Sequence, residues 1–522
     1  MGRRDDEHTL ATYDVLLEKV AGDSMNLTEL RAPRLTGNSL KVFAKLLRVP
    51  VLGPTILRKI KLDNRMIQVR ELAATVRMQP LYYPLCMPSS SLLAQHTAHA
   101  RAYSLQALAA MEHPQKSLAF HCYTAADYVH ADAALENAIA STARYRAGAT
   151  LGPLHGVPIA VKDEIEDEGY PTTFGTSFLG SVHGVAPVDC FSVARLRAAG
   201  AIIVGKTNMH AFGAGCFGIN IHHGTAPNPG SAAAGLVPIA IGCDGGGSVR
   251  IPSSLCGIVG LKATYVRIPY DFHGCPSLSK VGPLAASVHD AALAYTIMAG
   301  SDAGHHHMSL YQPPLYLSTS PFATDLGHLR VGIDPDYLFG RDTEIVTAIH
   351  AQMADLQARG ATIMHIKLAN LQAIHFGHNM TILTEMAQAT DVHYRCIREF
   401  SADVQINLEL ARAVLSSIDF LAAQRVRAYA TSMLRDPDVF KAGLSQLELT
   451  TGLMKCMVLG NFVGIGLSSG GLPMPLQLQA AHWHEDTVLQ LARLLESLNP
   501  MPKPSVYNSP LDSTTTDVAT AH

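Results

Sequence analysis

Two short apolar runs constrain the architecture more than anything else in the chain. LHGVPIAVKD (154–163) and GAIIVGK (200–206) are too short for core helices, are rich in Val and Ile, and end in charge, so each reads as a buried strand. Between them CFSVARLRAAG reads as a helix closed by Gly200. Strands alternating with helices predict an α/β sheet covered by helices on both faces. The pattern recurs later. LRVGID (329–334) and ATIMHIKL (361–368) read as strands. The positions of Ile345, Ile349, Met353 and Leu356 mark one face of a helix that starts near Asp342 and stops at Gly360. EDTVLQLARLLESL is the last helix, and the tail SPLDSTTTDVATAH is polar and expected to be disordered.

The N-terminal part differs. In NSLKVFAKLLRVPVLGPTILRKI, residues Leu40, Phe43, Leu46 and Leu47 share a helical face while Lys41, Lys45 and Arg48 lie elsewhere, and Pro50 and Pro54 limit any helix to short pieces. Two readings fit: a helix packed on the protein's own body, which is favoured, or a basic amphipathic element resting on a membrane surface. Two further helical stretches follow, SLLAQHTAHARAYSLQALAAM and DAALENAIASTARY. The expected organisation is an N-terminal extension over 1–95, one large domain over 96–505, and a disordered tail over 506–522.

Composition removes several function classes. A chain of 522 residues, 48% hydrophobic and 16% charged, suits a large globular enzyme and not a disordered protein. A net charge of −3 gives no electrostatic ground for a nucleic-acid partner. Nine cysteines without CxxC pairs read as reduced thiols. MGRRDDEHTL has no apolar core of a secretory signal, Asp6 breaks the myristoylation pattern, and no uncharged apolar run reaches roughly 18 residues. An intracellular protein, cytoplasmic or peripheral to a membrane, is the expectation.

The chemistry is expected in GCDGGGSVRIPSS, Gly242 to Ser254. No Lys follows the glycines as a phosphate loop requires, Pro252 argues against the dinucleotide fingerprint, and Arg250 breaks the GxSxG nucleophile elbow. What remains is a turn of bare backbone whose N–H groups can converge beside Ser248 Oγ, the layout of a nucleophile next to an oxyanion hole. The plainer alternative is a Gly-rich turn whose serine caps a helix. A nucleophilic serine needs a base, and Lys162 stands at the end of an apolar strand, where desolvation is expected to lower its pKa; a lysine that merely punctuates a strand end is the competing reading. His222-His223 and His305–His307 have no carboxylate or Cys at ligand spacing, so no metal is expected.

The stretches LHGVPIAVKDEIEDEGYPTTFGTSFLG, RLRAAGAIIVGKTNMHAFGAGCFGINIHHGTAPNP and AAGLVPIAIGCDGGGSVRIPSSLCGIVGLKATYVRI resemble the amidase signature family, as does SKVGPLAASVHDAALAYTIMAG. APRLTGNSLKVFAKLL and DFLAAQRVRAY are similar to its plant-type fatty acid amide hydrolases. The resemblance implies a large mixed sheet, cofactor-free amide hydrolysis, and a Ser–Ser–Lys triad. Lys162 then matches the basic lysine, Ser248 the acylated serine, and Gly245, Gly246 and Gly247 the oxyanion turn, with Asp244 and Arg250 supporting it. The family's Gly–Ser-rich loop with the relay serine is mostly absent. Ser231, the only serine between His223 and Ser248, either serves as the relay or matches a later, non-catalytic serine of that loop, and its closeness to Ser248 favours the second. Two strands also look absent, one ending in a Pro-Thr pair after RVRAYATSMLRDPDVF and one ahead of the GLP turn in NFVGIGLSSGGLPMPLQLQ. The expected substrate is a fatty acid amide such as an N-acylethanolamine. The alternatives are an impaired relative that binds lipid amides or a partner protein, or an amidase for small or aryl amides. Peripheral membrane contact and a homodimer are further candidate associations.

Overall fold

The strand–helix alternation is built around a seven-stranded mixed sheet. The computed structural model describes residues 37–63, 66–75, 131–215, 218, 220–224, 237–270, 274–302, 312, 315, 325–334, 343–366, 370–433, 461–467, 473–480 and 483–499. Ser231, His305–His307, the stretch 91–111, the segment after Met433 expected to lack a strand, and the C-terminal tail lie outside the described residues. The helices used below are α1 (Gly37–Leu46), α2 (Leu52–Asp63), α3 (Met66–Thr75), α4 (Ala131–Arg146), α5 (Leu179–His183), α6 (Phe191–Ala198), α7 (Arg250–Cys256), α8 (Val288–Met298), α9 (Thr343–Ala358), α10 (Leu371–Ala389), α11 (Ala402–Val414), α12 (Ser417–Met433) and α13 (Glu485–Leu498). The strands are β1 (Pro158–Lys162), β2 (Ile202–Thr207), β3 (Ile239–Asp244), β4 (Val259–Gly260), β5 (Lys280–Ala285), β6 (Arg330–Ile333), β7 (Thr362–His365), β8 (Asn461–Leu467) and β9 (Pro473–Leu478).

The sheet order is β2-β1-β3-β5-β4-β8-β9. β1 runs parallel to both β2 and β3, and the remaining pairs are antiparallel. Alternate side chains of the buried strands go to opposite faces, as the pleat requires. Ile159, Val161, Ile203, Ile239 and Ile241 join a core that includes Val193 and Leu196 of α6, Ala291 and Tyr295 of α8, and Leu491 and Leu495 of α13. Ala160, Ile202, Val204 and Ala240 meet Ala134 and Ala138 of α4 and Val249 on the other face. Both faces are therefore covered, as expected. The strands LRVGID and ATIMHIKL form as β6 and β7, but among the described residues they pair only with each other, in a separate parallel ribbon. β8 corrects the sequence reading: seven residues ahead of the GLP turn do form a strand, paired with β9 and joined to β4 at Gly260↔Phe462. Gly464 and Gly466 dilute its apolar pattern and conceal it from periodicity.

The N-terminal helices pack on the protein's own body. Leu47, Leu57, Val69 and Ala73 are buried in one cluster with Ile374 and Phe376 of α10 and Ala423 and Val426 of α12. Asp419, fully buried, accepts from Lys61 at 2.8 Å and also pairs with Arg70, while Arg48 meets Glu409 at 3.0 Å. Pro50 separates α1 from α2, and Pro54 sits in the first turn of α2 where its missing N–H costs little. Among the described residues no helix is long and apolar enough to cross a membrane.

One glycine fixes the spacing of the central strands. A Cβ at Gly282 would lie 2.1 Å from the Leu261 carbonyl oxygen, which itself leads out of β4. Gly282→Ala must push β4 and β5 apart, and a loss of about 3 kcal/mol is expected, at the upper end of overpacking costs. A urea midpoint unchanged from the parent would contradict that packing.

Candidate active site

The carboxyl ends of β1 and β3 lie side by side, and each leads to one of the side chains expected to react. β1 ends on Lys162 and β3 runs into the turn Asp244–Ser248. In an open α/β sheet the crevice beyond such strand ends is where ligands bind. Successive residues leave β1 on opposite sides. Lys162 goes towards β3 and donates to the Cys243 carbonyl at 3.3 Å, whereas Asp163 is fully buried and accepts from the N–H groups of Thr173 (3.2 Å) and Gly175 (3.0 Å). Asp163 thus anchors a neighbouring loop.

The glycine turn is held from beneath by Asp244. Its carboxylate accepts from the backbone N–H groups of Gly247 (2.8 Å), Val249 (3.2 Å) and Arg250 (3.3 Å). It also accepts from Arg250 Nε and one terminal nitrogen, both at 2.9 Å, and from Lys262 Nζ at 3.0 Å. Asp244 is completely buried. Burial alone would raise its pKa, but Arg250 and Lys262 outweigh that and hold the carboxyl well below the usual carboxylate range. Lys262, buried beside Arg250, is itself lowered to about 8 despite the pull of Asp244, and it also bonds the Gly245 carbonyl at 3.2 Å.

This anchoring refines the expected oxyanion hole. Gly247 gives its N–H to Asp244, so of the three glycines it is Gly245 and Gly246, together with the Ser248 N–H, whose amides are left for a ligand oxygen. Gly247 has φ of 124°, which disfavours any side chain there. Gly245 and Gly246 are bare for a different reason. Cβ atoms on them would lie 3.0 Å from Ser279 Oγ and 3.3 Å from Ile382 Cδ1 respectively, so the residue leading into β5 and the helix α10 close directly over the turn.

The sequence reading of Lys162 needs correction in its charge. Burial does work against the ammonium, but Glu164 Oε1 lies 2.5 Å from Nζ, and its carboxylate holds the lysine pKa above the ordinary value. Lys162 at rest is an ammonium and not the neutral amine expected from desolvation alone. Strand period does not reveal Glu164, because it lies in the turn that follows β1, closed by the Ile165 N–H donating to the Lys162 carbonyl at 2.9 Å.

Other residues near the turn were not foreseen. His378 on α10 is 3% exposed, and its Nε2 lies 3.8 Å from where a Gly246 Cβ would stand. Burial, reinforced by the charges of Lys262 and Arg250, keeps this imidazole neutral. Lys280, cross-strand from Asp244, lies over the Tyr265 ring at 3.8 Å, and burial together with Lys262 and Arg427 depresses its pKa. Nothing in the spacing of 25 histidines marks His378, because α10, far along the chain from the turn, brings it in. Of the predicted residues, Lys162, Asp244, Gly245, Gly246, Gly247, Ser248 and Arg250 gather at this one edge. His222 and His223 are used elsewhere, with Ser177 and with the Thr176 carbonyl.

A family profile described as Amidase matches residues 121–433, more than half of the chain. The chain belongs to the amidase family. A fatty acid amide hydrolase of Medicago truncatula is 30% identical over 90% of this chain and 93% of its own length. One from Oryza sativa subsp. indica is 33% identical over 74% of this chain and 72% of its own. Among solved structures, the peptide amidase of Stenotrophomonas maltophilia superposes with a TM-score of 0.63 at 22% identity, covering 78% of this chain and 94% of the other. That likeness places the mixed sheet in the amidase fold. As an amidase, the protein is a hydrolase of amide carbon–nitrogen bonds.

Proposed function

We propose that this amidase hydrolyses fatty acid amides, N-acylethanolamines among them, through an acyl-enzyme on Ser248 with Lys162 as the base. The observation that carries the reading is the juxtaposition of the Lys162 ammonium and the glycine–serine turn on neighbouring parallel strand ends, bridged by the Lys162–Cys243 bond. Gly245, Gly246 and the Ser248 N–H face the developing oxyanion, while Asp244 and Arg250 fix the turn and take no part in bond making. Proton return from Lys162 to the departing nitrogen is essential, because an amide anion leaves poorly. The near-full-length likeness to plant fatty acid amide hydrolases supports an acyl-chain substrate. So does the apolar ground beside the turn, where Ile382 packs with Leu278, Phe212 and Met386.

The test is a panel of purified-protein assays on primary amides and ethanolamides of increasing acyl length. Burial of each methylene is worth about 0.8 kcal/mol, so kcat/KM should climb by about fourfold per added CH₂ until the site is filled. A flat or falling series, with aryl or short amides preferred, would overturn the fatty-acyl assignment. The same panel run on Ser231→Ala assigns the proton relay: loss comparable to Lys162→Ala makes Ser231 the relay, and unchanged turnover removes it from the mechanism. A second reading, a relative that binds amides without turnover, draws on the Glu164 pairing that keeps Lys162 protonated. Ser248-dependent hydrolysis at any acyl length rules it out.

A further inference from the structure

Glu164 stands just beyond the end of β1, and its carboxylate and the Lys162 ammonium are almost equally sheltered, at 16% and 15% exposure. The groups facing that ammonium are Glu164 from its own segment and Cys243 and Asp244 from β3. Asp244 is already engaged with Arg250 and Lys262. Cys243 is a buried free thiol whose pKa burial pushes far up, and Lys280 approaches it from the β5 side. Tyr270 gives its hydroxyl to the Glu164 backbone carbonyl, leaving the side chain for the lysine. Glu164 is therefore the carboxylate that answers Lys162.

An ammonium cannot accept a proton from a serine hydroxyl. A carboxylate at 2.5 Å in a sheltered site offers a way out, because an ion pair and the neutral acid–amine pair come close in energy once water is excluded. We propose that Glu164 holds the Lys162 proton during catalysis, so that the pair, and not the lysine alone, sets the pH at which Ser248 is activated. This rests on the reading of Lys162 as the base. The proton passes from Nζ to the carboxylate, leaving a neutral amine and a carboxylic acid. The amine takes the Ser248 hydroxyl proton, directly or through an intervening hydroxyl, as Oγ bonds to the carbonyl carbon and the carbonyl π pair moves onto oxygen. The resulting ammonium gives that proton to the departing nitrogen as the carbon–nitrogen bond breaks and the carbonyl re-forms. Water then repeats the sequence on the acyl ester, its proton returning through the amine to Oγ, and Glu164 hands its proton back. Glu164 touches neither reacting atom of the substrate, so it is a positioning residue acting through Lys162.

The experiment is the pH profile of kcat/KM on one amide for the parent, Glu164→Gln, Glu164→Asp and Lys162→Ala. In the parent the proton need only cross to Glu164, so the amine is available wherever the pair as a whole holds a single proton; with glutamine in its place the ammonium must lose its proton to solvent. The parent should therefore be active through neutrality, and Glu164→Gln should shift its acid limb up by about one pH unit or more, with the rate at neutral pH reduced about tenfold. Glu164→Asp, which keeps the proton acceptor, should hold the limb within about half a unit of the parent. A Glu164→Gln limb that stays in place or moves down overturns the proposal even if the rate falls, since a purely electrostatic partner would move it down and a lost plateau alone is a packing effect. Activity retained by Lys162→Ala is a separate outcome. It removes the base itself, and this inference falls with it.

Discussion

Alanine at position 248 should lower kcat for any amide the protein cleaves by about five orders of magnitude or more while leaving the fold intact. Removing the acylated hydroxyl abolishes the covalent route outright, and the residual rate is what the oxyanion donors and binding alone supply. The turn itself should survive. It is held by Asp244 through the N–H groups of Gly247, Val249 and Arg250 and through the Arg250 side chain, and none of these bonds passes through the Ser248 hydroxyl. Kinetics and a urea melt on the same preparation separate the two effects. Retention of more than about a hundredth of the parent rate, in a variant with an unchanged midpoint, would exclude Ser248 as the nucleophile.

The second large effect is expected at Asp244. Asp244→Asn keeps the shape but removes the charge, leaving Arg250, 1% exposed, and Lys262, 5% exposed in its side chain, without their common counter-ion. Breaking a buried pair in this way costs about 3–5 kcal/mol, and the asparagine amide also turns a donor towards guanidinium hydrogens. The pH dependence follows from the sign of the shift. The folded pKa of Asp244 lies well below the unfolded value near 3.9, so its contribution is complete above about pH 4 and fades as pH falls towards the folded value. The stability gap between parent and variant should therefore be widest near pH 7 and narrow in acid. Urea midpoints at pH 7 and pH 3 measure it. A gap below about 1 kcal/mol at neutral pH would show that the carboxylate is not the anchor described.

Much of this was readable from residue order alone, because local signals and the final packing agree. Val- and Ile-rich runs became β1 and β2, Gly200 closes α6 with φ of 91°, and the face through Ile345, Ile349, Met353 and Leu356 became α9 between Thr343 and Ala358. The serine turn stood out because three successive glycines are rare beside a residue that must be approached closely. Where sequence fell short, the cause was a partner distant along the chain or a pattern broken by glycine. β8 was concealed by its own glycines. β6 and β7 look like sheet strands but have only each other to pair with among the described residues. The Lys162 charge state turned on Glu164, where desolvation and a close counter-ion act in opposite directions and only geometry decides the winner. His378 and Lys280 reach the turn from α10 and β5, through tertiary packing that no local window contains.

Lys162 and the turn that carries Ser248 follow from adjacent parallel strands, Ile159, Ala160 and Val161 opposite Ile239, Ala240 and Ile241. Their separation is consequently gauged by the backbone ladder, about 4.8 Å between chains, whatever side chains fill the layers above and below. Sequence drift can rewrite those layers without moving the ruler. That explains how a relative only 22% identical superposes on this sheet.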